Sequence, residues 1–150
     1  MSNEELSDCD EEPNRRFDVQ LLIVHPTLDQ AQITAALGLQ PAWQHTVGTR
    51  RSTPSGTILP GTYPDTRWRH IIRHEVGSQW FADQLDDLVD RLVPHKNFLT
   101  GLRSTGGEAQ IIVAFLDDGY FGDTIRRETL AKLVELELDL GVECFAVPQA

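Results

Sequence analysis

Arg67-Trp68-Arg69-His70-Ile71-Ile72-Arg73-His74-Glu75-Val76 is the stretch whose period decides the fold. As a helix it would bring His70 and His74 to about 5–6 Å, close enough for a metal-ligand pair. As a strand, at a rise of about 3.3 Å per residue, it sets them about 13 Å apart. Strict alternation, together with Trp68, Ile71 and Ile72, selects the strand. Trp68, His70, Ile72, His74 and Val76 then share one face, while Arg67, Arg69, Ile71, Arg73 and Glu75 share a basic outer face.

Upstream of this strand lies the most heavily punctuated part of the chain, Trp43 to Pro64, with glycines and prolines around the pair Arg50-Arg51. Thr53-Pro54-Ser55-Gly56 has proline where a turn presets φ and glycine at its fourth position. It predicts a hairpin with arms at about 44–52 and 57–60. Before it, Phe17 to Val24 reads as a central strand with Phe17, Val19, Leu21 and Ile23 on one side. His25-Pro26 breaks that strand, and Thr27-Leu28-Asp29-Gln30 predicts a capping box opening a helix. Ile33, Ala36 and Leu37 form its stripe, and Gly38 ends it with a left-handed cap.

Downstream, Ser78 is the expected N-cap of a helix carrying Phe81, Leu85, Leu88, Val89 and Leu92, and a shorter helix runs from His95 to about Arg103. Ala109 to Leu116 is a short apolar run that reads as a second central strand. Asp123 or Thr124 caps a further helix with Ile125, Leu130, Leu133 and Val134. The last strand begins at Val142 after Gly141, or as early as Leu136 with Gly141 inside it. This order predicts an α+β fold: a ferredoxin-like split β-α-β sandwich with an inserted β-hairpin and an extra C-terminal helix and strand. Residues 16–150 form a single domain in this reading, and residues 1–15 a disordered acidic tail.

The 150 residues carry a formal charge of -10, of which Glu4, Glu5, Asp8, Asp10, Glu11 and Glu12 supply six. The remaining -4 makes a mildly acidic body, which suits a basic protein partner and argues against nucleic acid. No membrane is expected as a partner, because no apolar run approaches the roughly 18 residues of a span. The start has no signal-peptide pattern, so the expected compartment is the cytoplasm. Cys9 and Cys144 make neither a disulfide framework nor a metal set.

Catalytic signatures are missing: there is no Gly-x-Ser-x-Gly, no nucleotide-binding glycine pattern and no Cys–His context. No cofactor and no catalytic residue is therefore expected, although carboxylate pairs that meet only in space escape a reading of the sequence. No metal site is expected either. His25, His45 and His95 are scattered, and Asp117, Asp118 and Asp123 lack the oxygen-ligand spacing of a calcium loop. What stands out is charge of the opposite sign: residues 41–80 hold five arginines, Arg50, Arg51, Arg67, Arg69 and Arg73, against Asp65 and Glu75. Arginines beside a rigid loop grip carboxylate or phosphate, and Trp43, Tyr63 and Trp68 add flat contact area. With His45 and His70, these residues are the candidate partner- or ligand-binding set; the bland alternative is that the arginines pair with the protein's own carboxylates.

The pattern His25-Pro26, Leu37-Gly38-Leu39, Pro41, Trp43, Gly48-x-Arg50, Thr53-Pro54-x-Gly56, Leu59-Pro60-Gly61-x-Tyr63 and Trp68 resembles a family of uncharacterised bacterial domains of unknown function. The resemblance spans about residues 17–147 and implies a compact bacterial cytoplasmic domain. It carries no functional residue to any position. Two functions are consistent with the residues. One is a non-enzymatic protein-interaction domain, with immunity-like and homodimeric forms included; the other is a binder of, or enzyme acting on, a small anion through Arg50, Arg51, His45 or His70.

Overall fold

The computed structural model describes residues 17–75, 79–116 and 121–145. Its main sheet has five strands: β1 (Phe17–His25), β2 (Trp43–His45), β5 (Thr66–Arg73), β6 (Glu108–Phe115) and β7 (Asp139–Cys144), in the order β2-β5-β1-β6-β7. A separate pair, β3 (Arg50–Ser52) and β4 (Ile58–Thr62), forms the hairpin. The helices are α1 (Gln30–Leu37), α2 (Phe81–Leu92), α3 (Lys96–Ser104) and α4 (Arg127–Glu135). The architecture is α+β, as the sequence predicts.

The directions follow from the pairing. β1 is antiparallel to β5 and to β6, and β2 is antiparallel to β5. β1 and β2 therefore run the same way with β5 between them, and β5 and β6 run the same way with β1 between them. The crossovers through α1 and through α2 and α3 each span an intervening strand. β7 adds to β6 in parallel, a connection that needs a long crossover, here containing α4.

All four helices pack on one face of the sheet. Phe17, Val19, Leu21 and Ile23 point there from β1, Trp68 from β5, and Ala109, Ile111 and Val113 from β6. They meet Ile33 and Leu37 of α1, Leu85, Leu88, Val89 and Leu92 of α2, Leu99 and Leu102 of α3, and Leu133 of α4. Each fully buried aliphatic side chain contributes about 1.5–3 kcal/mol by leaving water.

Several helix ends differ from expectation. The capping box of α1 is Asp29 with Gln32, not Thr27 with Gln30: Asp29 Oδ1 accepts from the Ala31 amide at 2.7 Å, and Gln32 reaches back to the Asp29 amide at 3.2 Å. Thr27 lies two residues before the cap, its amide donating to the His25 ring. Gly38 closes α1 in the left-handed conformation, as predicted. Ser78 lies outside the described residues, and the N-cap position of α2 is Trp80. The anion that serves this helix end comes from far along the chain: Asp123 accepts from the Ala82 amide at 3.3 Å. Asp123 is thus unavailable to α4, which starts only at Arg127.

The buried stripe of α4 is Thr129, Leu133 and then Leu136, whereas Leu130 and Val134 face outward. The reason lies in what α4 packs against. Asp86 on α2 holds both Thr129 and Arg126, and Asp90 takes Lys132 at 2.7 Å, which fixes the rotation of α4 about its axis. On the other side Lys96 reaches Glu135 at 2.8 Å and holds its carboxyl below the usual range. α4 ends in a Schellman motif, with the Leu138 amide on the Leu133 carbonyl at 2.9 Å and the Glu137 amide on the Val134 carbonyl at 3.1 Å. Leu138 then leads into β7, so Gly141 sits inside the last strand, where a Cβ would meet Gln110 and Ile112 at 3.3 Å.

His25 shows why His-Pro closes β1. Its Nδ1 accepts from the amides of Thr27 and Leu28 at 3.1 and 2.9 Å, and its Nε2 lies 2.8 Å from Thr105 Oγ1. Accepting at Nδ1 makes the ring neutral with its proton on Nε2, and burial pushes it below the usual histidine value. A Cβ at Gly107 would lie 2.6 Å from this ring, so the chain between α3 and β6 needs glycine there.

The unfolded ring titrates near 6.5. The stability that neutral His25 contributes is therefore complete above about that pH and is lost as pH falls from there toward the lower folded value. In His25→Asn, the side-chain oxygen still accepts the two amides but the Thr105 bond is gone. Urea melts across this range should show the variant about 1 kcal/mol less stable at neutral pH, with a shallower loss on acidification than the parent.

A second prediction concerns Glu137, which holds φ at 56°, a left-handed conformation that costs a non-glycine residue about 1 kcal/mol. Its carbonyl, not its side chain, accepts from Arg103 at 3.1 Å. Glu137→Gly should raise stability by about 0.5–1 kcal/mol in the same melts.

Candidate functional site

The hairpin is anchored at its base. β2 and β5 continue past the sheet as one arm: the Val47 amide donates to Thr66 Oγ1 at 2.9 Å, the Gly48 amide to the Tyr63 carbonyl at 2.9 Å, and the Tyr63 amide to the Thr49 carbonyl at 3.0 Å. Beyond this, Arg50 pairs with Thr62 and Ser52 with Ile58. The first arm is therefore not one strand over 44–52. The turn Thr46–Thr49, with Gly48 at φ 78°, divides it into β2, which belongs to the sheet, and β3, which does not. At the tip the Gly56 amide closes on the Thr53 carbonyl at 2.9 Å, the turn that the sequence predicts.

An isolated two-stranded hairpin is marginal in water, and the side chains at its base show how this one is held. Tyr63 stacks face to face on His45, ring centroids 3.7 Å apart and planes within 7°. The Tyr63 hydroxyl meets the Ser52 amide and carbonyl, both at 3.3 Å. Trp43 stands edge-on to His45 at 5.0 Å and is 46% exposed. Asp65 lies 3.2 Å from Arg67 Nε and 3.6 Å from His45 Nε2.

These residues wall an open cleft of about 520 Å³, lined by Trp43, His45, Arg51, Thr62, Tyr63, Pro64, Asp65 and Arg67. Five of the ten sequence-derived candidates meet there: Trp43, His45, Arg51, Tyr63 and Arg67. The His45 side chain is 10% exposed, yet neither ring nitrogen makes a hydrogen bond. Ring nitrogens withdrawn from water without a hydrogen-bond partner cost free energy, and a polar group reaching them would recover that loss.

The other five lie elsewhere. Trp68 is fully buried in the core, its Nε1 donating to Thr34 Oγ1 on α1 at 3.0 Å. His70, on the same face of the strand, is tied by Nδ1 to the Gln40 carbonyl at 2.7 Å. Arg50 is exposed on β3, outside the cleft lining.

Arg69 and Arg73 lie on the face of β5 opposite the helices. The register places Trp43 beside Arg69 and His45 beside Arg67 on that face, and Asp18, Gln20, Leu22 and Val24 of β1 next to them. Ile112, Ala114 and Gln110 of β6 continue the face. The cleft is therefore one corner of the sheet's second face, with Arg67, Arg69 and Arg73 running along β5 away from it. Among the described residues no helix packs on this face. Gln20, which the sequence reading does not single out, is buried there with its Oε1 lacking a hydrogen bond, and so is Arg69 Nε.

A second hollow, about 380 Å³, lies between the end of β1 and α3 and is lined by His25, Thr27, Leu28, Phe98, Leu102 and Thr105 among others. There both nitrogens of the histidine are hydrogen-bonded, so it offers no unmet polar group. Among the described residues no three His, Cys, Asp or Glu side chains converge as a metal set, and no helix is long and apolar enough to cross a membrane.

No curated protein and no solved structure matches the chain. Residues 15–144 match a family described as "Domain of unknown function (DUF4279)". The match covers the sheet, the hairpin and all four helices, and the chain belongs to this family of uncharacterised domains.

Proposed function

We propose that this chain is a non-enzymatic protein-interaction domain whose cleft and adjoining arginine strip take an acidic segment of a partner protein. One observation carries the reading. Trp43, His45 and Arg67 from the main sheet and Arg51 and Tyr63 from the hairpin line one open cleft, in which a half-buried histidine makes no hydrogen bond and has only Asp65, 3.6 Å from its Nε2, nearby. Flat aromatic walls and arginines at a rim are the composition that protein-binding surfaces favour.

The overall charge suggests a basic partner, but the surface in question has the other sign. Arg51, Arg67, Arg69 and Arg73 carry it, and of these only Arg67 has a carboxylate partner in an ion pair among the described residues. Toxin neutralisation by an immunity-like domain is one form such binding takes, and self-association through the same face is another. The volume of the cleft supports a second reading, a small anionic ligand, since ligand sites commonly enclose about 300–1,000 Å³.

Titrating the ¹⁵N-labelled chain with hexaglutamate and, separately, with inorganic phosphate tests both. Saturable shifts of the Trp43, His45, Arg51 and Tyr63 amides with the peptide are expected. Arg51→Glu should weaken that binding about tenfold or more, the loss of one charge-assisted contact, without changing the melting temperature, because Arg51 is exposed. Shifts with phosphate alone would favour the small-anion reading, and none with either would reject both.

A further inference from the structure

The arginine strip has a candidate occupant within the chain. We infer that the acidic segment Glu4–Glu12 folds back over the second face of the sheet and lies along Arg73, Arg69 and Arg67, where it competes with any partner for the same surface. The inference rests on the strip being a binding surface, as proposed above, but it has a test of its own.

Geometry brings the segment to the strip. β1 begins at Phe17, and Asp18 sits opposite Arg73 in the ladder. The chain that precedes Phe17 therefore enters at the Arg73 end of β5, not at the cleft end, where Val24 sits opposite Arg67. From Arg73 to Arg67 is six residues of strand, about 20 Å. The thirteen residues from Glu4 to Phe17 span up to about 45 Å extended, so the acidic run reaches the whole strip and its first residues reach the cleft.

Charge selects the same pairing. The first twelve residues hold six carboxylates and no basic side chain, against three arginines projecting from one face of one strand. Arg67 and Arg73 are exposed, and Arg69 is half-buried with its Nε lacking a hydrogen bond. Toward the other edge the face turns acidic, with Glu108 on β6 and Asp139 and Glu143 on β7, so a polyanion is guided to the β5 side.

The centre of the face agrees. Gln20 is 6% exposed, and Leu22, Ile112 and Ala114 are buried as well, on a face that no described helix covers. A segment laid across this face would offer backbone amides to Gln20 Oε1. Each carboxylate–arginine contact at a surface is weak. Tethering compensates, since a short linker holds the segment at an effective concentration of millimolar order.

The chain carries its own probe position, because Cys9 lies within the acidic run and Cys144 is exposed and replaceable. A nitroxide is attached to Cys9 of the full chain bearing Cys144→Ser, and amide broadening is read at low salt. The expected result is loss of intensity at Arg67, Arg69, Ile71 and Trp43. That intensity should return in high salt, and also when Glu4, Glu5, Asp8, Asp10, Glu11 and Glu12 are replaced by Gln or Asn.

Broadening confined to Phe17–Val19 and the neighbouring Ile72 and Arg73 would overturn the inference, as would equal broadening with the neutral segment. Broadening of a ¹⁵N chain by a spin-labelled ¹⁴N chain in a mixture would also overturn it, by assigning the segment to a second copy. If the segment docks but hexaglutamate does not shift the cleft amides, partner binding at the cleft is rejected and the docked segment stands. If hexaglutamate shifts those amides but the segment does not dock, the docked segment is rejected and partner binding stands.

Discussion

A strand that is paired on both edges and buried on both faces leaves its neighbours little choice of position. β1 is such a strand, antiparallel to β5 along its whole length on one side and to β6 on the other. Its side chains alternate between two environments: Phe17, Val19, Leu21 and Ile23 enter the helix-packed core, while Asp18, Gln20 and Leu22 are buried on the second face. A one-residue slip would put Asp18 and Gln20 into the hydrocarbon core and Phe17 on the other side, so the register is strongly specified. Once it is fixed, Arg67, Arg69 and Arg73 fall on the second face because they sit opposite Val24, Leu22 and Asp18.

The same constraint explains why the cleft lies where it does. β2 pairs with β5 for only three residues, with Trp43 opposite Arg69 and His45 opposite Arg67. The left-handed turn at Gly48 then releases the chain from the sheet, and the arm continues as a ladder of its own. Tyr63 returns from the far arm and lays its ring on His45, so the stack joins hairpin to sheet. This contact both supports the hairpin and closes one wall of the cleft. Replacing either ring would therefore perturb the shape of the site as well as its chemistry, whereas Arg51 projects from the hairpin without such a structural duty.

Much of this was legible in the residues. The alternation read over Arg67–Val76 locates β5, which ends at Arg73 with Val76 outside the described residues, the apolar runs locate β1 and β6, and Thr53-Pro54-Ser55-Gly56 locates the hairpin tip. These are local signals, carried by period and turn chemistry. What the sequence hid depends on distant partners. Asp123 looks like the cap of the helix that follows it, and it serves α2 because the chain returns there after β6. Leu130 and Val134 have helical spacing and point outward, because contacts with Asp86 and Asp90 turn α4 the other way. Trp68 offered flat area for contact and instead fills the core, its indole nitrogen satisfied by Thr34. Gln20 carried no signal, since an alternating polar residue on a strand ordinarily faces water.

The arginines illustrate the limit most clearly, because composition gives their number and only the register gives their arrangement. Five arginines in forty residues are compatible with scattered surface pairs. Here Arg67 does take an internal carboxylate, Asp65, which also faces His45. That arrangement places a negative charge inside the cleft between the ring and the guanidinium, so of the two arginines lining the cleft only Arg51 has no carboxylate in an ion pair among the described residues. The cleft is thus asymmetric in charge as well as in shape, apolar toward Trp43 and Tyr63 and cationic toward the hairpin and the strip. A ligand that satisfies both sides must combine an acidic group with an apolar or planar one a few ångströms away, a combination that a peptide side chain next to an acidic residue supplies and a bare anion does not.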